Sequence, residues 1–447
     1  MSVSGYKGKL GEILESIGAE VGDEIEVLTG DGRRYVGYLM SRTEYAAEGL
    51  ITLKLRNGYN VGVALDDRAV VRKVSKGRAP SFTREELPPV NPNLPRIALL
   101  GTGGTIASRV DYRTGAVRPA MTTEDLLSTV REVAEVANVE SEVLFSVYSE
   151  NMTSREWDAI GGAVHDRITK GYEGVVIAHG TDTMGYTAAA LSFVLQRPPV
   201  PVVLVGAQRS SDRPSSDAAT NLLGALSVAG KAPFAEVVVA MHAWHSDDVI
   251  AVHRGTRVVK LHTSSRDAFQ SVNSRPIAYV KEGRVIVKAE KLNPRGAIGY
   301  SYQPGFDERV ILLKFFPGMK GSVLQLLAER GYRGFVLEGT GLGHVASSWI
   351  PVIRQLTSDG AFIGMCSQCR YGRVNMNVYY NGRDLLAAGV TPLGDMLPEV
   401  AYVKLSWALH RTSDPDDLRE IMLTALAGEI GERSMPLRTS WSDEPWA

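Results

Sequence analysis

Downstream of Arg96 the sequence alternates short apolar runs with longer stretches of helical apolar spacing. An apolar run without polar alternation has to be buried on both faces. Crossover helices supply that cover, so the pattern predicts an α/β fold with a parallel sheet. RIALL (96–100), GVVIA (174–178), VPVVLVG (200–206), EVVVAM (236–241) and GFVLE (334–338) are the expected strands. DAATNLLGALSVAG and TAAALSFVLQ are the expected helices, the second over 185–196. Upstream the period changes. Residues 21–74 hold strand-like segments with turn signals at Gly30-Asp31-Gly32 and Asn57-Gly58, which predict a small SH3-like β-barrel serving as a docking or stabilising module. Pro80, Pro88, Pro89, Pro92 and Pro95 crowd an aperiodic stretch between the two patterns, as in a linker. Another Pro- and Gly-rich stretch begins at Asn293. The expected division is a barrel domain at 1–75, a linker at 76–95, a large α/β domain at 96–292, a linker at 293–312 and a small C-terminal α/β domain at 313–447.

Length supports this division, since 447 residues exceed the ~250–300 at which single cores stop growing. No apolar run reaches the ~18–20 residues needed to span a bilayer, and the first residues lack the apolar stretch of a secretion signal, so no membrane association is expected and the cytoplasm is the expected compartment. Lys and Arg number 49 against 50 Asp and Glu, which gives no electrostatic case for nucleic-acid binding by the chain itself. With two cysteines a disulfide framework is excluded. Cys366 and Cys369 supply only half a zinc site and are expected to be buried structural thiols.

In open α/β sheets the ligand gathers at the carboxyl ends of the strands. The first strand runs into GTGGTIAS (101–108), which is expected to set Thr102 and Thr105 on a glycine loop there. A phosphate loop would need Lys-Ser/Thr after the glycines, and Thr105-Ile106-Ala107 stands there instead. The strand 174–178 runs into HGTDTM (179–184), putting Thr181, Asp182 and Thr183 on a second loop at the start of a helix. A lone Asp182 reads as an N-cap; two threonine-bearing loops at one sheet edge are less simply explained that way.

TGGTIAS followed by HGTDTM resembles the bacterial-type L-asparaginase/glutaminase family, and the likeness extends over SENM (149–152), VGAQR (205–209), the stretch 254–260 before TSSRDAFQSVN, and GRVNMNVYYNGRDLLAAGVTPLGDMLPE. Ordinary asparaginases lack the barrel and its linker. With them the chain resembles the D-subunit family of archaeal glutamyl-tRNA(Gln) amidotransferases, in which glutamine is hydrolysed to ammonia for a partner E subunit that converts Glu-tRNA(Gln) to Gln-tRNA(Gln). The resemblance implies an asparaginase-like two-domain α/β core, and an amidohydrolase component of a carbon–nitrogen ligase with glutamine as amido donor. It implies Thr105 as nucleophile and Thr181, Asp182 and Lys260 as the assisting group. Tyr112 matches the tyrosine of a mobile loop, and Ser149 and Glu150 match the positions that hold the substrate's α-carboxylate and α-amino ends. Backbone N–H groups around Gly104 and Thr181 are candidate oxyanion donors. The family often has Gln where Glu150 stands, and GTGLGH (339–344) lacks an Asn common in asparaginases. The proton acceptor stays open among Lys260, Tyr112 and water.

No cofactor or metal is expected in this chain, with ATP and Mg expected in the partner. His242, His245, Asp247 and Asp248 have ligand-like spacing, but they fall in a stretch covered by a family that works without metal. The implied assembly is a heterotetramer on a homodimer core, with Glu-tRNA(Gln) met mainly through the partner, and the apolar segment 393–409 is the expected surface between the two copies. A free-standing L-asparaginase is the alternative, because asparagine and glutamine differ by one methylene, worth only ~1–3 kcal/mol in a pocket.

Overall fold

The computed structural model describes residues 5–42, 49–56, 60–76, 91–104, 108–110, 117–119, 130, 132–209 and 215–433. Near the amino end, Glu24–Leu28, Arg34–Leu39, Leu50–Leu55, Asn60–Ala64 and Val70–Ser75 form one antiparallel sheet in which the last strand returns to the first. Alternate side chains Ile25, Val27, Leu39, Ile51 and Leu53 point into one core. A helix that the periodicity does not reveal, Gly8–Ser16, adds Leu10 and Leu14 to that core. Tyr6 is buried with them and donates its hydroxyl to the Met40 carbonyl at 2.7 Å.

The large domain is built on an eight-stranded sheet. Its strands distribute their side chains with period two. Ala98, Leu100, Val175, Ile177, Val202 and Leu204 go to one face, and Ile97, Leu99, Val176, Ala178, Val203 and Val205 to the other. The helices Ser154–Thr169 and Met184–Val194 cover the first face and Ala218–Lys231 the second. Two expectations need correction. The sheet is parallel only from Asn138–Val147 to Val237–His242; Val249–Arg254, Ala278–Lys281 and Arg284–Val287 extend it antiparallel through short connections. The helix expected over 185–196 ends at Val194, and Leu195–Gln196 instead pairs with Ser301–Tyr302 inside the stretch read as a plain linker.

The small domain is a four-stranded parallel sheet, Val310–Lys314, Gly334–Gly339, Phe362–Ser367 and Thr391–Pro392. The helix Pro398–Leu409 is apolar on nearly all sides, which suits an element buried all round. It lies between the large-domain helix Met184–Val194 and the small-domain sheet, and its Val400, Ala401, Val403, Leu405, Trp407 and Ala408 are buried. The apolar surface expected to meet a second copy is therefore consumed inside the chain. Cys366 is buried as expected; Cys369 is exposed, because it stands past the strand end.

Candidate functional site

Two strand ends build the site. The first strand, Arg96–Gly103, continues beyond the expected loop start, so Thr102 is not a loop residue: it is buried and its hydroxyl donates to the Ala178 carbonyl of the adjacent strand at 2.9 Å. Gly103 and Gly104 then take φ of 103° and 83°, a region L side chains rarely adopt. A Cβ on Gly104 would stand 2.4 Å from Gly180, so this glycine lets the turn lie directly against the second loop, while one on Gly103 would meet the Val147 backbone at 2.5 Å. Gly104→Ala is expected to cost about 1–3 kcal/mol of stability. It should also lower turnover by about 100-fold through displacement of the loops, checked by thermal melting and by ammonia release. Thr105 and Tyr112 lie outside the described residues; Ser108–Val110 and Val117–Pro119 pair as an antiparallel ladder on either side of Tyr112 in the chain.

On the second loop Thr181 is buried and Asp182 mostly exposed. The Lys260 ammonium bridges them, donating to Thr181 Oγ1 at 2.8 Å and to Asp182 Oδ1 at 2.8 Å. These three residues, expected to act together, are thus in direct contact although nearly eighty positions separate Lys260 from the others. Accepting from a cation polarises the Thr181 hydroxyl and leaves its own hydrogen free to be donated toward a reacting group. Lys260 ends the short strand Val258–Lys260, which pairs with Phe269–Ser271. The base of this hairpin is pinned to the other domain: Arg257 is buried, with Nη1 3.1 Å from Asp395 Oδ2 and Nε donating to the Gly428 carbonyl at 2.8 Å.

Ser149 is buried at the start of the turn Ser149–Asn151, and Glu150 is exposed beside it. Thr183 ties this turn to the second loop by donating to the Ser149 carbonyl at 2.7 Å, and a Cβ on Gly180 would stand 2.7 Å from Ser149 Cβ. Gly180 is therefore enclosed by Ser149 and by Gly104. The VGAQR segment supports the loop from behind: a Cβ on Gly206 would meet the Thr181 methyl at 2.9 Å, and the Asp217 carboxylate accepts from the Gln208 and Arg209 N–H groups at 3.0 Å each.

The roles of Thr183, Gly206 and Arg257 leave no motif in the sequence because their partners are remote in the chain, and that of Asp217 leaves none because it holds backbone N–H groups of an irregular turn. His242 is a satisfied core histidine, with Nδ1 2.6 Å from Asn221 Oδ1 and Nε2 2.9 Å from Asp247 Oδ1. Among the described residues no group of three or more His, Cys, Asp or Glu side chains is placed to hold a metal ion. The arrangement can polarise a hydroxyl, present N–H groups and bind a cationic substrate end at Asp182, the needs of amide cleavage rather than of phosphate or redox chemistry.

Comparison with known proteins agrees with the geometry. Residues 96–293 match the model "Asparaginase, N-terminal", residues 309–422 the "Glutaminase/Asparaginase C-terminal domain" and residues 19–74 the "GatD N-terminal domain". The D subunit of the glutamyl-tRNA(Gln) amidotransferase of Methanopyrus kandleri is 49% identical, with 96% of this chain and 95% of that one covered. Its namesake from Saccharolobus solfataricus is 48% identical, with 98% and 99% covered. Among solved structures, the thermostable L-asparaginase from Thermococcus kodakarensis superimposes with a TM-score of 0.68 at 35% identity, covering 76% of this chain and all of that one. The L-asparaginase I from Vibrio cholerae gives 0.67 at 27% identity, covering 76% and 99%. The quarter of this chain beyond the asparaginase likeness includes the barrel.

Proposed function

The chain belongs to the D-subunit family of glutamyl-tRNA(Gln) amidotransferases, and we propose that it hydrolyses glutamine and passes the ammonia to a partner E subunit that amidates Glu-tRNA(Gln). The observation that carries the chemistry is the direct contact of Lys260 with both Thr181 and Asp182 beside the glycine turn that precedes Thr105. In this reading the Thr105 hydroxyl oxygen attacks the side-chain amide carbon, the C–N bond breaks, and ammonia leaves with the proton that the threonine gives up. Water then cleaves the resulting ester, releasing glutamate and restoring the hydroxyl. Thr181, held by Lys260, relays the proton. Asp182 keeps the ammonium of Lys260 in place and faces solvent, where it can take the substrate's α-ammonium; Ser149 and Glu150 hold the rest of the amino-acid end. Tyr112 closes over the substrate.

ATP and Mg belong to the partner in this proposal, because the amidase chemistry needs neither and activation of the glutamyl carboxylate needs both. The assembly proposed is a cytoplasmic complex built on a homodimer of this chain through a surface other than Pro398–Leu409. Transfer of label tests the reading. With the partner, ATP, Mg and Glu-tRNA(Gln) present, 15N in the side-chain amide of glutamine is expected in the carboxamide of the Gln-tRNA product. Product nitrogen drawn entirely from unlabelled ammonium in the buffer would contradict it.

A further inference from the structure

His179, the residue ahead of Gly180-Thr181, has no solvent exposure and is hydrogen-bonded at each ring nitrogen. Its Nδ1 lies 2.7 Å from the Gly180 carbonyl oxygen. A carbonyl only accepts, so Nδ1 carries a hydrogen. Burial pushes the imidazole down to about 4, so the ring is neutral near pH 7 and Nε2 is an acceptor. The Thr187 hydroxyl, 2.9 Å from Nε2, must then donate to it, and the same hydroxyl accepts from the Trp157 indole N–H at 3.1 Å. The indole nitrogen can only donate. One polarity therefore runs from Trp157 through Thr187 and His179 to the Gly180 carbonyl, and it admits a single tautomer.

The end of that chain matters because Gly180 is a glycine. A residue without Cβ has wide backbone freedom, and glycine is required here by the closeness of Ser149. Some other group has to fix the peptide that follows. In a planar trans peptide the C=O and the next N–H point in opposite directions, so holding the Gly180 carbonyl against the imidazole turns the Thr181 N–H away from it. No backbone acceptor among the described residues takes up that N–H.

We infer that His179 is a positioning residue: its tautomer-locked ring holds the Gly180–Thr181 peptide so that the Thr181 N–H is ready to donate to the oxygen that becomes negative during amide cleavage. This rests on the amidase reading and deepens it by naming what sets an oxyanion donor. The imidazole acts through the peptide and does not reach the substrate.

The test uses the full-length chain. Asparagine at 179 places an amide N–H near the Nδ1 position, whereas glutamine places one near Nε2. His179→Asn is therefore expected to stay within about tenfold of the parent kcat, and His179→Gln to lose about 100-fold in kcat with KM changed less than about threefold. Ring 15N shifts in the unmodified chain should show Nδ1 protonated and Nε2 bare, and Thr187→Val, which removes the donor to Nε2, should populate the other tautomer and lower kcat. An Nε2-protonated ring in the unmodified chain would overturn the proposal, as would equal kcat losses in the Asn and Gln variants that both melt near the parent temperature. If the unmodified chain releases no ammonia from glutamine or asparagine, the amidase reading is what fails. The ring tautomer needs no turnover and still decides whether His179 holds the Gly180 carbonyl.

Discussion

Lys260→Ala is expected to lower kcat for glutamine hydrolysis by about 10³-fold or more with little change in thermal stability. The ammonium touches both residues of the second loop to which the proposed chemistry gives a role, at 2.8 Å each. Its loss removes the polarisation of Thr181 and the anchor of Asp182 together. Stability is spared because the residue left behind, Asp182, is 69% exposed in its side chain and water can solvate it. Thr181→Ala and Thr105→Ala should fall in the same range. The double variant Lys260→Ala/Thr181→Ala should lose little more than either alone, since groups working as a unit are strongly non-additive. Ammonia release measured on variants that keep the parent circular dichroism decides the matter. Near-normal turnover in either single variant, or losses that multiply, would contradict the assigned roles.

The largest expected stability effect lies elsewhere. Lys404, on the helix at the domain seam, and Glu429 are both without exposure and 2.6 Å apart. Burial works against the ammonium and lowers its pKa, while Glu429 pulls it upward. The pair is fully satisfied: Lys404 also donates to the Thr424 carbonyl at 2.5 Å, and the Glu429 carboxylate accepts from the Leu426 and Ala427 N–H groups. Lys404→Met is expected to cost about 3–5 kcal/mol, because it strands a buried carboxylate. The double variant with Glu429→Gln should recover much of that loss. The segment this pair holds offers its Ala427 and Gly428 carbonyls to Thr256 and Arg257, at the base of the hairpin that carries Lys260. Urea unfolding of the single and double variants checks the prediction, and a single variant within about 1 kcal/mol of the parent would contradict it.

The strands of the large domain were legible because burial on two faces leaves unbroken apolar runs such as GVVIA and RIALL, and sheet and sequence agree on them. The antiparallel extension was not, since Val249–Arg254 and Ala278–Lys281 begin with the same buried apolar runs as the parallel strands and direction leaves no periodic trace. Pro398–Leu409 looked like a surface in search of a neighbour; an all-round apolar helix does not say whether its cover comes from the same chain, and here it does. At the site, Thr181, Asp182 and Lys260 were named from motifs, and the structure adds their contact. His179 stood in plain view within HGTDTM, yet its partner Thr187 and the Trp157 that donates to Thr187 sit on two different helices, and no spacing rule connects them. Arg257 likewise meets Asp395 across 138 positions of chain.

Ammonia release is the measurement that tests the central claim most directly. It should be followed from glutamine and from asparagine, by the full-length chain alone and together with the E subunit, ATP, Mg and Glu-tRNA(Gln). Ammonia at neutral pH is mostly ammonium, a poor nucleophile, so a chain that feeds an amidating partner gains by hydrolysing only when the acceptor is in place. Slow glutamine hydrolysis by the chain alone is expected, with a marked acceleration when the complete system is added and poor use of asparagine throughout. Rapid asparagine hydrolysis that is indifferent to the partner and to tRNA would contradict it and leave a free-standing asparaginase carrying a barrel.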